Sequence, residues 1–518
     1  MKFPSLPSPG RVLERVPARR RLPLAVYAAT QVIFLLWWAA FYPGAMSYDS
    51  VSYVWHVTTG HWMSNHSVVY DGLLWLSLQT TGDVALLTFL QTVAMASALA
   101  YVAMTLRQFG VKGKWSFSAA VACALLPPIG SFMIFVWKDV PFAIGAVLAF
   151  GAAGRLAARR LRGALEVRDR VFQREIAMLF LGFLCMGLFR NNGLLVAVLA
   201  LPVLLLTLPL IRRWVLFATV VPVTIAALLN TVIYPAIGVE TPTKDMVYAM
   251  NYADIAVVYG REPKSFSKAE TDLMSKVAPL SHWRGRAANC YDADWAMQKP
   301  MDRRAAEKYN DQLLDLWFRV LGRSPDQMIS ARLCRSHIAW SMFPGPADLA
   351  GNTMISRPRI ADDLYGWADW NSGIKHSKYR PVLVMRPLSD SLNSAATFVW
   401  EASTTPQLQW LLVRGAFWCY AAYTVLLLLA RRLRSWAPVA MLAIPLGLQL
   451  TVIAANPAPL ARYMYAPVFL GILALPLLGA HPRLARRAGG KARRELSLTE
   501  PKYPAKDDPH WKAPATAR

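Results

Sequence analysis

The chain has 518 residues, of which 55% are hydrophobic and only 17% are charged. Soluble domains carry roughly 25% charged residues, so this composition excludes an ordinary soluble enzyme or binding module. The formal net charge of +25 would suit a nucleic-acid binder, but the placement of the basic residues gives it another meaning.

The apolar residues lie in blocks long enough to cross a hydrocarbon core of about 30 Å, not in stripes of period 3.6. In chain order, spans are predicted near 23–43, 84–106, 115–136, 139–155, 175–191, 194–211, 214–236, 408–430, 436–455 and 463–480. The fold class is therefore all-α and polytopic, with about ten transmembrane helices. The first span is too long for a cleavable signal, and no small-residue cleavage site follows it. Basic residues concentrate at 1–22, 107–114, 155–174, 212–213, 431–434 and after 481, all on one side of a ten-span arrangement. These segments hold nearly all of the net charge. Lys and Arg in short loops mark the cytoplasmic side, so both termini are predicted to be cytoplasmic. The high charge then reports topology and attraction to anionic lipid, with no nucleic-acid partner implied.

This places five segments. Residues 1–22 form a basic cytoplasmic N-terminus. Residues 23–236 form a transmembrane module whose first outer loop, 44–83, carries acids but no Lys or Arg. Residues 237–405 form an extracytoplasmic domain, mainly helical by spacing and long enough for its own core. Residues 406–480 hold the C-terminal spans. The tail 481–518 is basic, then polar, and is predicted to be disordered. Cys290 and Cys334 are the only cysteines of the outer segment, and an oxidising compartment would allow them to pair.

Polar groups at the predicted outer ends of spans are costly there and mark a candidate site. The first loop supplies Tyr48, Asp49, His56, His61, Asn65, His66 and Asp71. Lys138 and Asp139 follow the third span, and Arg190, Asn191 and Asn192 follow the fifth. Asn456, Arg462, Tyr463 and Tyr465 lie between the last two. Each has a plain structural reading. Asp49 or Ser47 would cap a short interfacial helix, Lys138 would pair with Asp139, and Arg190 would reach lipid headgroups. Together, one acid and three cations suit an anionic, lipid-linked substrate. Arg and Lys hold phosphate by charge-assisted hydrogen bonds, and a carboxylate can take a proton from an attacking hydroxyl. His56, His61 and His66 are spaced poorly for a metal site with Asp49 or Asp71. Trp283, Trp295, Trp317, Trp340, Trp367 and Trp370 would stack on sugar rings or, as the plainer reading, fill a core or an interface.

The order SYDS, SNH, WKD, FRNNG and ARYMYAP along the chain resembles bacterial membrane glycosyltransferases of the GT-C type, in a poorly characterised branch. The resemblance covers residues 20–236 and 408–480. It implies a helical module with two interfacial helices in the first outer loop, about 47–60 and 67–80. It also implies transfer of a sugar from a polyprenyl-phosphate donor to an extracytoplasmic glycan, lipid or protein acceptor, in the bacterial plasma membrane. Asp49 takes the place of the catalytic acid. Lys138, Arg190 and Arg462 are the donor-phosphate candidates, and Tyr48, Asn65, His66, Asp139, Asn191, Asn192 and Tyr463 are substrate-binding candidates. The related branch tends to carry a His and a Pro after Asn-His, where this chain has Ser67 and Val68. Many GT-C proteins pair two acids in the first loop, whereas Asp49 is followed by Ser50, so no cofactor is implied and a divalent metal is not favoured. Other readings are a lipid-linked sugar flippase or transporter and a polysaccharide polymerase or ligase.

Overall fold

The computed structural model describes residues 17–165, 169–345, 355–358, 374, 376–377 and 379–480. The N-terminal segment before Pro17, the tail after 480, Trp367 and Trp370 lie outside the described residues. Among the described residues the chain is helical, and its only sheet-like pairings are two isolated bridges, Ala45 with Phe135 and Met63 with Glu240.

Among the described residues, eight helical stretches are long and apolar enough to cross a membrane: Arg20–Ala40, Ala85–Gln108, Asp139–Leu161, Arg170–Phe189, Pro209–Ala236, Gly415–Leu433, Ala437–Ala455 and Ala461–Gly479. The chain is therefore a multi-pass membrane protein. Two predicted spans differ. Residues 115–136 do not form one helix: α5 (Gly113–Leu125) stops, and α6 (Pro127–Phe132) starts afresh. The tandem Pro127-Pro128 explains the break. Proline removes a helix donor and pushes the preceding residue out of the α region; Leu126 has ψ 118°. The predicted 194–211 span is α9 (Asn192–Thr207), shorter than the others.

The first span is α1 (Ala18–Ala40). Between it and α4 (Ala85–Gln108) run two short helices, α2 (Tyr48–Thr59) and α3 (Val68–Thr81). α7 (Asp139–Leu161) is the centre of the bundle and packs along α8 (Arg170–Phe189) and α4. Close approach of α7 and α8 depends on small residues. A Cβ on Gly145 would lie 2.8 Å from the Gly182 carbonyl oxygen, and one on Gly182 would lie 2.8 Å from Ala149 Cβ. Small residues at such crossings let helices gain dispersion contacts that lipid does not offer. Of the apolar window in α7, 89% is buried, against 22% for Pro209–Ala236. The latter helix, with exposed Leu210 and Ile237 at its ends, presents its side chains to lipid.

Residues 249–328 build a second core around Tyr252, Trp283, Leu313 and Met328. Its main helices are α10 (Ala249–Arg261), α11 (Asn310–Arg323) and α12 (Pro325–Arg335). Asp254 on α10 pairs with Arg332 at 2.6 Å and with Arg335, both on α12. Cys290 and Cys334 are joined by a disulfide, with Cα atoms 5.7 Å apart. Hydrogen bonds tie this unit to the turn between the last two apolar helices. Ala293 N–H donates to the Pro457 carbonyl at 2.9 Å, and Asn456 Nδ2 donates to the Arg335 carbonyl at 2.8 Å.

Candidate functional site

The start of α2 is set by Ser47, not by Asp49. Ser47 is extended at the cap position, and its backbone N–H donates to Ser50 Oγ at 2.9 Å. Ser50 Oγ donates in turn to the Val136 carbonyl at 2.9 Å. The Ala45–Phe135 bridge adds Ala45 N–H to the Ile134 carbonyl at 2.9 Å and Val136 N–H to the Ala45 carbonyl at 3.0 Å. Trp137 Nε1 donates to Ser47 Oγ at 2.5 Å. The segment before Asp49 is thus tied to the segment before Lys138. Asp49, in the first turn of α2, is left to interact elsewhere.

Its partner is Arg462, with Nη2 2.7 Å from Asp49 Oδ2; the side chains are 10% and 25% exposed respectively. The Arg462 guanidinium also lies 5.0 Å from the Trp137 ring centre and 5.4 Å from that of Tyr463. Arg190 lies 4.2 Å from the centre of the same Tyr463 ring and pairs with Asp139 at the start of α7. Tyr463 therefore offers its π system to both guanidinium groups. Arg190 does not reach outward to headgroups. It turns into the bundle, and its Asp139 partner replaces the Lys138–Asp139 pair that the sequence suggests.

Lys138 turns instead to the first loop. Its Nζ donates to His66 Nδ1 at 3.0 Å and lies 3.5 Å from the Asn65 carbonyl. Burial pushes Lys138 down to about 8, against the pull of Asp49 and Asp139. Burial, then Lys138, His56 and Arg462, hold His66 well below the ordinary histidine range. With the Lys138 ammonium donating, His66 accepts at Nδ1, which leaves Nε2 to carry the ring proton. Asn65 Oδ1 accepts from His66 N–H at 2.8 Å, which shapes the turn. Ser67 caps α3, and its Oγ donates to the Leu188 carbonyl at 2.8 Å, next to Arg190.

Asp49, Lys138, Arg190 and Arg462 thus come together, with His66, Asp139 and Tyr463 among them. Asn191 and Asn192 open α9, with Asn191 exposed, and Tyr48 is 38% exposed on the first turn of α2. The other first-loop histidines serve the scaffold: His56 Nδ1 lies 2.9 Å from Asp71 Oδ2, and His61 Nδ1 3.1 Å from Glu240 Oε1. Among the described residues no set of three or more His, Cys, Asp or Glu side chains is arranged to hold a metal ion. The tryptophans divide. Trp283 is buried and donates to the Met274 carbonyl, Trp317 donates to Asp254, and Trp295 is covered by Arg286 at 3.6 Å. These three are packing residues. Trp340 is 43% exposed.

Three features of the site escaped the sequence. Trp137 braces both Ser47 and Arg462. The Tyr53 hydroxyl is buried with no hydrogen-bond partner among the described residues, as is Arg462 Nε. Asp294 is exposed, beside the Ala293–Pro457 bond, with Asp292 and Asp49 as like-charged neighbours. The acidic pair beside Cys290 was the available signal for Asp294. No protein-family model, curated protein or solved structure matches this chain.

Proposed function

We propose that the protein is a membrane glycosyltransferase of the GT-C type, moving a sugar from a polyprenyl-phosphate donor to an acceptor outside the cytoplasm. In this reading it crosses a bacterial plasma membrane about ten times, with the broken 113–132 region and α9 completing the count. Both termini are cytoplasmic, and Asp49 lies at the outer face. The observation that carries the reading is the pairing of Asp49 with Arg462 beside Lys138, with a buried Arg462 Nε still lacking an acceptor among the described residues. Three cations face two carboxylates there, so the cluster keeps one surplus positive charge for an anion.

The donor phosphate takes the place of Asp49 as partner to Arg462 and accepts from Lys138. Asp49 is then free to accept the proton of an acceptor hydroxyl. That oxygen attacks the anomeric carbon, the bond from the anomeric carbon to the phosphate oxygen breaks, and polyprenyl phosphate leaves as an anion. Such a leaving group needs electrostatic stabilisation more than protonation. Arg190, held by Asp139 and Tyr463, supports the position of Tyr463 against Arg462. The test is transfer by purified protein from labelled polyprenyl-phosphate sugars to candidate acceptors, beside Asp49→Asn. Transfer at full rate is expected from the wild type alone. Full transfer by Asp49→Asn removes Asp49 from catalysis, and a wild type that neither transfers nor hydrolyses any such donor overturns the reading.

A further inference from the structure

At the end of the bundle opposite Asp49 lies an open cavity of about 840 Å³ between α1, α4, α7 and α8. Arg107, Arg155, Arg162 and Arg174 line it. Arg155 belongs to the scaffold. Its Nη1 lies 3.1 Å from the buried Glu175, its Nε donates to Thr105 Oγ1 at 3.0 Å, and its Nη2 donates to the Tyr101 carbonyl at 3.1 Å. Tyr101 donates to the same Glu175. The acid is thereby consumed, and the floor of the cavity is rigid.

The other three cations differ. Arg107 donates to the Val111 carbonyl and Arg162 to Gln108. Among the described residues none of Arg107, Arg162 and Arg174 has a carboxylate within ion-pair distance; the nearby Asp169 is taken by Arg159. Burial and Arg159 both push Arg162 below the ordinary guanidinium range. Three guanidinium groups thus line the cavity with no carboxylate paired to them among the described residues, a cost that a bound anion would relieve. The shape indicates where the anion comes from. From Arg107 to Ser97 the cavity follows α4 for about 15 Å, past Met104 and Ala100, with Pro23 and Tyr27 of α1 opposite. Ser97 is exposed at that depth. A free phosphate would fill only the basic mouth. A lipid would fill the mouth with its headgroup and the apolar length with the start of an acyl chain.

We propose that this cavity binds an anionic phospholipid from the leaflet opposite Asp49, its headgroup phosphate held by Arg107, Arg162 and Arg174. The site is separate from the Asp49 cluster and does not depend on sugar transfer. The test uses the full chain in phosphatidylcholine micelles, titrated with phosphatidylglycerol. Lipid retention is read by native mass spectrometry, and stability by thermal unfolding. Saturable retention of phosphatidylglycerol and a rise in Tm are expected, with loss of affinity of roughly fivefold for each guanidinium removed in Arg107→Gln with Arg162→Gln. Arg174→Gln, on the exposed rim, gives the same readout if the double variant does not fold. Arg431→Gln with Arg432→Gln, basic residues at the same end outside the cavity, should bind as the wild type does. Equal loss in that control, or equal retention of phosphatidylcholine, overturns the site. A Tm rise of the same size with millimolar inorganic phosphate alone overturns the assignment to lipid.

Discussion

Replacing Asp49 by Asn separates the two duties assigned to this carboxylate. At an effective dielectric of about 20, charges about 4 Å apart attract by about 4 kcal/mol. Desolvation offsets much of this. Removing one partner of a fully buried pair costs about 3–5 kcal/mol; Asp49 is 25% exposed, so about 1–3 kcal/mol is expected here. The apo variant should melt at lower temperature. Donor binding should move the other way, because three cations now face one carboxylate and the surplus positive charge rises from one to two. Asp49→Asn is therefore expected to bind a labelled polyprenyl-phosphate sugar at least as tightly as the wild type, and the donor should restore its melting temperature. Transfer should fall by about 10²- to 10⁴-fold, the usual contribution of a general base. Arg462→Gln should do the reverse at the binding step. It loses a charge-assisted hydrogen bond of about 1.5–3 kcal/mol, or roughly 10- to 100-fold in Kd. Binding by filtration and single-turnover transfer separate these terms. If Asp49→Asn loses donor binding in parallel with transfer, Asp49 positions the site and does not act as its base.

Other perturbations test neighbouring groups. Lys138, pushed down to about 8 by burial, holds its charge below that value and loses it above. Donor affinity should therefore fall between pH 7 and 9, and Lys138→Gln should bind weakly with no such pH dependence. The Cys290–Cys334 bond closes a separation of 44 residues, for which chain entropy predicts about 3–4 kcal/mol. Reduction or the double Ser variant should lower the melting temperature of the unit built around the second core, as measured by circular dichroism.

The sequence made the class and much of the scaffold legible because both rest on local signals. Apolar run length marked the membrane helices, whereas the loop helices near 47–60 and 67–80 were expected through the resemblance; α2 and α3 occupy Tyr48–Thr59 and Val68–Thr81. Pro127-Pro128 was an equally local signal, and the apolar run around it masked it. What stayed hidden was pairing across the chain. Asp139 chooses Arg190 over its neighbour Lys138, and Lys138 chooses His66, because α7 and α8 lie side by side while the first loop folds over the lysine. Composition and spacing carry no information about such choices. The Asp294 carboxylate was hidden for a related reason: Pro457, to which its neighbour Ala293 is tied, lies far away in sequence.

These pairings explain how a cluster rich in cations stays intact among packed helices. Unpaired, Arg190, Arg462 and Lys138 would repel one another in a poorly hydrated setting. Asp139 neutralises Arg190 and is buried with it, so that pair has little reason to exchange. Asp49 neutralises Arg462 from a more exposed position and without a fixed role in the helix cap, which Ser47 fills. Of the two carboxylates, Asp49 is therefore the one an incoming phosphate can displace with least disruption. On the proposed mechanism that exchange makes the base available only when a donor is present. It also accounts for the separation between the cap and the acid at the start of α2: a carboxylate fixed as the cap could not change partners.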